Sequence, residues 1–561
     1  MAKGYRPVDR DQQFLIPPDM RDWLGTDHPV WTVIDIIDRI DTTAFHRTAK
    51  TGGAGRAGYH PDMLLTLLVW AWSRGERSSR RIERLCTEDV AYRVICAQDI
   101  PDHVTIARFR KTHATACEDL FTQVLLLAAA LGLGRLETIA LDSVKIASNA
   151  SAGANRTESS VRAEAAAHAR AVAAAAVAAH AATDAAEDEP HDHDDRGPGS
   201  VPPALTDPRS RAARISEAIA ALDAARAADE QARADKDTSA RLYLEQARGG
   251  QMPMGAPPAS AAVAAAELAL EKTLAAHAAK VRRYEQRRAE AAAKGHRYGG
   301  WVIRPAGQDP KVIKARARLA RATAAAAAAT AVAAARADAD TEGRPERVVN
   351  TTDPESGLQP LRGGGWVQGF NCQAVTSGDG LIMAVSVAAN PTDAPTFVPM
   401  MQAAVAAAGS IIAARPTGTA DTDGTDGTDG EGIGMLLADA GYFSEANITA
   451  PGPDRLIARG KARHLEHAAR HTPVSGPAPV EASPVEVMAH RLRTEEGIAT
   501  YRKRSHIAET PFGHAKHNLN FRRFTGRGLV RARGEWSFHA AVHNIGKILA
   551  AVGGGGLPAA V

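Results

Sequence analysis

A long alanine-rich, aromatic-poor middle is the feature that most constrains this 561-residue chain. Of its 11 Phe, 7 Trp and 8 Tyr, only Tyr243, Tyr284, Tyr298 and Trp301 fall between residues 155 and 345. Large apolar side chains supply most of the area a core buries, so this stretch has little to build one from. Its mixture of alanine, arginine and glutamate favours helix. Two breaks, 187–198 and 249–258, divide it, and we expect long helices, with hairpins among them, joined by flexible linkers. His191, Asp192, His193 and Asp194 in the first break read as solvated linker, since nothing nearby fixes a metal-binding geometry. The chain thus splits into a core-forming front, an alanine-rich middle and a core-forming back.

Charge and cysteine usage narrow the function classes. With 67 Lys+Arg against 64 Asp+Glu, the net charge of +3 announces no polyanionic partner globally, so any such signal must be local. Cys86, Cys96, Cys117 and Cys372 contain no CxxC pair, which argues against a disulfide framework or a thiolate zinc site. The longest apolar runs, Met63–Trp72 and Val124–Leu133, are shorter than the roughly 18 residues of a membrane span. The first residues lack an apolar signal core. These features predict a soluble protein of a reducing compartment, the cytoplasm.

The front is helical by pattern. Met63–Trp72 follows Pro61, which suits the first turn of a buried helix. A second helix is predicted over Ser78–Cys86, and Asp102 or Thr105 caps a third running to Lys111. Arg77, Arg80, Arg81, Arg84, Arg108, Arg110 and Lys111 make this either a DNA-binding bundle or an ordinary helical domain with a solvated basic face. Leu136–Ile146 reads as a strand with Asp142 near its middle, where an acid must be exposed, paired or bound to a cation. After Gly363–Gly365, Trp366–Val375 and Leu381–Val387 form a hairpin around a Gly-Asp-Gly turn. A helix over 395–408, a buried strand over Met435–Tyr442 that ends at Asp439, and a short strand over Arg455–Arg459 follow. Asp421–Gly430 repeats every three residues but lacks the closing glutamate of a calcium loop, and reads as a disordered loop. Residues 472–484, with four prolines, form a linker.

The last block is locally cationic. Between Tyr501 and Glu535 stand nine Lys or Arg against Glu509 and Glu535, with Phe512, Phe521 and Phe524 interleaved. That composition suits a polyphosphate surface, where each contact releases counterions. Asp142, Asp439 and Glu509 come from two strands and this basic segment. Converging, they could hold two divalent cations about 4 Å apart that clamp an in-line phosphodiester displacement. Oxygen ligands favour magnesium or manganese.

These residues, in this order, resemble the DDE transposases of bacterial insertion sequences with an InsH-type N-terminal domain. The resemblance is carried by Arg10–Arg21, Pro101–Arg110, Asn350–Ser356, Gly369–Ala374, Ala438–Tyr442 and Tyr501-x2-Arg504 leading to Glu509-x6-Lys516. It implies an α/β fold, an RNase H-like mixed sheet flanked by helices, with an all-α N-terminal domain and a long alanine-rich helical insertion. The implied domains are a helical DNA-binding domain (1–134), the first catalytic strand (135–150), the insertion (151–347), the rest of the catalytic domain (348–550) and a flexible tail (551–561). Asp142, Asp439 and Glu509 are then the catalytic, metal-binding acids. Tyr501, Arg504 and Lys516 match the family's phosphate-contacting signature, and Arg522, Arg523, Arg108 and Arg110 join them as expected DNA contacts. Four residues, where the family has three, separate Arg504 from Glu509. Pro511 should kink or restart the helix carrying Glu509 and Lys516. Asp353 and Glu355 read as structural, turn-forming acids.

The implied activity is binding of terminal inverted repeats, hydrolytic cleavage by two Mg2+ or Mn2+ ions and joining of 3′-hydroxyl ends to target DNA. A dimer would synapse the two double-stranded ends, without a membrane. The alternatives are an RNase H-like nuclease without strand transfer and a non-catalytic DNA-binding remnant.

Overall fold

The computed structural model describes residues 19–47, 58–187, 211–249, 257–341, 346–361, 363–416, 432–460, 462–553 and 556–558. The Arg10–Pro18 part of the first motif, His191–Asp194 and the Asp421–Gly430 repeat lie outside the described residues. In chain order the helices α1 (Pro29–Arg39), α2 (Thr43–His46), α3 (Pro61–Ser73), α4 (Ser79–Glu88), α5 (Val90–Ile95), α6 (His103–Thr112) and α7 (Ala116–Ala130) precede strand β1 (Thr138–Ala147). Next come β2 (Asn155–Thr157), α8 (Glu158–Glu187), α9 (Arg211–Arg248), α10 (Ala262–Ala293), α11 (Pro310–Thr341) and β3 (Val348–Asn350). The chain continues through β4 (Gly357–Pro360), β5 (Trp366–Thr376), β6 (Ile382–Ala388), α12 (Phe397–Ala414), β7 (Met435–Ala438), α13 (Glu445–Thr449) and β8 (Arg455–Ile457). It closes with α14 (Ala462–His471), α15 (Pro484–Arg491), α16 (Glu495–Gly513) and α17 (Leu529–Val552). Two compact units result, Met1–Asn155 with Thr352–Val561, and Arg156–Thr351.

The first unit is built on a mixed sheet of order β4-β5-β1-β7-β8, with β6 also on β5. β5 pairs antiparallel with β1, β4 and β6, while β7 runs parallel to β1 and β8 parallel to β7. This is the mixed sheet, flanked by helices, that the strand pattern and the family resemblance led us to expect. Among the helices, α3 opens on Pro61 and buries Leu64 through Trp72. Asp102 caps α6 by accepting from the amides of Val104 and Thr105 at 2.8 and 2.9 Å. The central helix is α17, which buries Trp536, Phe538 and Ile545 against α7, α3 and β6. Its first amides are capped from afar: Gly528 N–H donates to Asp353 Oδ1 (3.1 Å) and Leu529 N–H to Glu355 Oε2 (2.8 Å). Gly528 has φ +86°, and a Cβ there would lie 3.0 Å from Glu355, so the turn requires glycine.

One segment, Ala394–Ala414, is long and apolar enough by composition to cross a membrane, contrary to the reading from contiguous apolar runs alone. Six of the residues of α12, from Phe397 to Ile411, are buried, and the helix packs on β6 and α7 as a core helix.

In the second unit, α8 and α9 close around Val161, Ile215, Ala218 and Leu222 together with Val349 of β3. Ion pairs reinforce this seam: Arg162 reaches Asp223 (2.6 Å) and Glu158 (2.9 Å), Arg226 also meets Glu158, and Arg211 meets Glu164. β2 pairs with β3, so the two ends of the unit lie side by side. α10 packs against α11, with Ala265, Ala266 and Val312 buried.

Candidate active site

Asp142 lies in the middle of β1 and is only 4% exposed. Strand alternation sets it on the face opposite Ser143 and Lys145. In the parallel β1–β7 pairing Leu141 stands opposite Ala438, so Asp439, the next residue, comes level with Asp142 just where β7 ends. Asp439 Oδ1 accepts from Gly441 N–H at 2.8 Å, which starts the turn Ala440–Tyr442.

Helix α16 packs against this part of the sheet and brings up the third acid. The Tyr501 hydroxyl donates to the Ala438 carbonyl at 3.3 Å, and burial pushes its pKa up to about 12. Arg504 Nη1 donates to Asp142 Oδ2 at 3.1 Å, while its Nη2 stands 3.6 Å from Glu509 Oε1. One rigid guanidinium therefore holds these two carboxylates within roughly 9 Å of each other. Burial works to lower the Arg504 pKa, but Tyr501, Asp142, Asp439 and Glu509 together raise it. The cation that a buried strand aspartate demands is, in this structure, Arg504. Glu509 itself is open to solvent, its side chain 54% exposed.

The three carboxylates form an all-oxygen donor set, which suits magnesium or manganese. Among the described residues no three His, Cys, Asp or Glu are gathered closely enough to hold a metal ion, and Arg504 lies between Asp142 and Glu509. The donor chemistry fits such ions; closing the set requires Arg504 to release a carboxylate.

Of the two effects expected of Pro511, a kink or a restart, the helix is not restarted. α16 runs unbroken to Gly513 and then widens into a π-helical turn, His514–Asn518. Proline removes one amide hydrogen bond, and the following turn takes up the irregularity. Glu509 and Lys516 are thus not separated by two regular α-turns.

A polar network on the other face of β1 was not read from the sequence. Asp393 Oδ1 accepts from Asn371 Nδ2 (2.7 Å), Gln373 Nε2 (3.1 Å) and Lys145 Nζ (3.3 Å). The Tyr442 hydroxyl donates to Gln373 Oε1. A Cβ on Gly441 would lie 2.8 Å from Asp393 Oδ2 and 3.0 Å from Asp439 Oδ1, so glycine allows the network to close onto the Asp439 turn. Burial raises the Tyr442 pKa well above its usual value, and Asp393, Asp142 and Asp439 add to the effect. The available signal was Asn371 and Gln373, two polar residues at i, i+2 and so on one face of the strand.

The expected DNA contacts fall into distinct settings. Lys516 is half-buried and, with Lys145, pulls against the burial that raises the Cys372 thiol. Arg522 and Arg523 are exposed on the segment that bridges to the end of β1, Ala147 opposite Arg523. Arg108 is exposed on α6. Arg110 instead turns inward and donates to the Arg77 carbonyl at 2.9 Å. Phe512, Phe521 and Phe524 are buried, with Phe521 packed on Trp72, Phe524 and Trp536.

Comparison with known families adds a separate line of support. A family model described as a transposase domain (DUF772) matches residues 18–112, and one described as a transposase DDE domain matches residues 478–549. Together they support a DDE transposase of an insertion sequence. The second match spans Tyr501, Arg504, Glu509 and Lys516 and does not reach Asp142 or Asp439. No curated protein and no solved structure matches the chain.

Proposed function

We propose that the transposase binds the terminal inverted repeats of its own element, hydrolyses a phosphodiester at each end and joins the resulting 3′-hydroxyls to target DNA. The observation that supports this most is the level placement of Asp142 and Asp439 on neighbouring parallel strands, with Glu509 tied to Asp142 through Arg504. Asp142, Asp439 and Glu509 would hold two divalent cations, Mg2+ or Mn2+, which supply Lewis-acid stabilisation of the attacking and leaving oxygens. Tyr501 steadies Ala438, and through it the backbone that carries Asp439. Arg504, once it releases a carboxylate, presents a fork suited to a phosphate. Lys516, Arg522, Arg523 and Arg108 are assigned to the DNA backbone. Synapsis of two ends calls for a homodimer acting in the bacterial cytoplasm, at the nucleoid.

The deciding experiment compares wild type with Asp142→Asn on end-containing duplex DNA with magnesium. The variant should lose cleavage by about 10³-fold or more while retaining DNA binding. Wild-type cleavage by this variant would overturn the assignment. Cleavage by the wild type without joined products would instead favour a nuclease without strand transfer.

A further inference from the structure

The second unit treats charge in two ways. Along α8 and α9, three arginines are matched to acids: Arg162 to Asp223 and Glu158, Arg226 to Glu158, and Arg211 to Glu164. Between residues 280 and 321 there are thirteen Lys or Arg and three acids, Glu285, Glu290 and Asp309. All thirteen basic side chains are exposed, and among the described residues none stands in an ion pair. Lys280, Arg283, Arg287 and Lys294 follow at helical steps along one side of the last turns of α10 and its C-terminal cap. Lys311, Lys314, Arg318 and Arg321 repeat the pattern on α11. Lys280/Arg283, Arg283/Arg287, Lys311/Lys314, Lys314/Arg318 and Arg318/Arg321 stand three or four residues apart, a spacing at which like charges destabilise an isolated helix.

The connection between the helices adds an exposed apolar tip. Residues 294–309 fold back along α10: the Tyr298 ring meets Tyr284 edge-on at 5.4 Å, and His277 Nε2 approaches the Arg304 carbonyl at 3.0 Å. Asp309 then caps α11 through Lys311 N–H at 2.8 Å. This fold-back leaves Trp301 95% and Val302 81% exposed.

We propose that the basic stripes of α10 and α11, with Trp301 beside them, form a second, sequence-independent binding surface for the phosphate backbone of duplex DNA. The steps of about 5 Å along each helix suit a long, regular polyanion. An anionic bilayer fits less well, because Ala265, Ala266 and Val312 are spent on packing the helices and leave no continuous apolar face to enter lipid. Trp301 supplies an apolar contact to sugar or base edges that salt does not screen. The choice of DNA over another polyanion rests on the transposase reading; the residues of this site belong to the second unit and the three acids to the first.

The test uses the full chain and a labelled random-sequence duplex of about 30 base pairs, titrated by anisotropy between about 50 and 200 mM salt. The quadruple variant Lys280→Gln, Arg283→Gln, Arg287→Gln and Lys294→Gln should lose affinity at least about ten-fold, and its log K against log salt slope should shrink by about 3. Exchanging the same four between Lys and Arg should preserve both quantities. Trp301→Ala should weaken binding a few-fold at unchanged slope. Wild-type affinity and slope in the quadruple variant would overturn the proposal, as would unchanged DNA binding with lost binding to phosphatidylglycerol vesicles. Asp142→Asn should bind this duplex with the wild-type slope, so failure of the catalytic reading and failure of this one give different results.

Discussion

The two units handle arginine in opposite ways. In the sheet-centred unit Arg77 lies between the rings of Trp72 and Phe521, at 4.8 and 4.1 Å, and donates to the buried carboxylate of Glu535 at 3.2 Å. Glu535 also accepts from the amides of Thr525 and Gly526 and from the Thr525 hydroxyl. In the helical unit Arg162, Arg211 and Arg226 pair with acids along α8 and α9, and the arginines between 280 and 321 are exposed and, among the described residues, stand in no ion pair. A unit rich in aromatics can enclose a cation and must then supply it a counter-charge, as Glu535 does for Arg77. A unit made of alanine has nothing to enclose it with, so its charges remain available to outside partners.

This contrast can be broken by mutation. The largest effect is expected from Glu535→Ala, which strands Arg77 without its counter-charge. Burial already lowers the Arg77 pKa to about 10, and removing one member of a buried pair costs about 3–5 kcal/mol. A urea midpoint unchanged from wild type would contradict the enclosed-cation account. A smaller effect should come with acid. Burial lowers His543 to about 4, with His514 and Lys547 adding to the shift and the Gly380 carbonyl opposing it, and burial likewise holds the neighbouring His539 well below its usual value. Unfolded, these histidines titrate near 6.5, so the unfolded chain binds protons first. Stability is therefore full above pH 6.5 and declines as pH falls from 6.5 through 4, by up to about 3 kcal/mol for His543. His543→Gln should flatten that decline in stability measured across this range; an equally steep decline would remove His543 from the explanation. The smallest effect belongs to the helical unit: Arg211→Ala, which removes the exposed pair with Glu164, should leave the melting temperature within experimental scatter. A clear drop would show that surface pairing carries α8 and α9.

Much of the architecture was legible. Pro61 ahead of an apolar run marked α3, the Gly-Asp-Gly turn marked the β5–β6 hairpin, and β-branched alternation marked the strand of Asp142. Other features had no local signature. Asp353 and Glu355 cap a helix some 175 residues downstream, a relation that no window can show. Arg110 reads as one more basic residue until the packing turns it toward Arg77. Asp393 gains its setting from three strand side chains that only the sheet register brings together. The break at 294–309 was masked because the cationic stretches on either side share one composition.

The pairing of β2 with β3 has a wider consequence. The neck of the 196-residue excursion Arg156–Thr351 is as narrow as two hydrogen-bonded strands, with Glu158 N–H donating to the Arg347 carbonyl at 2.8 Å. To the sheet, such an excursion counts as a single tight loop, whatever its length. Its helices could be lengthened, trimmed or exchanged over evolutionary time while the strands that carry the acids keep their order.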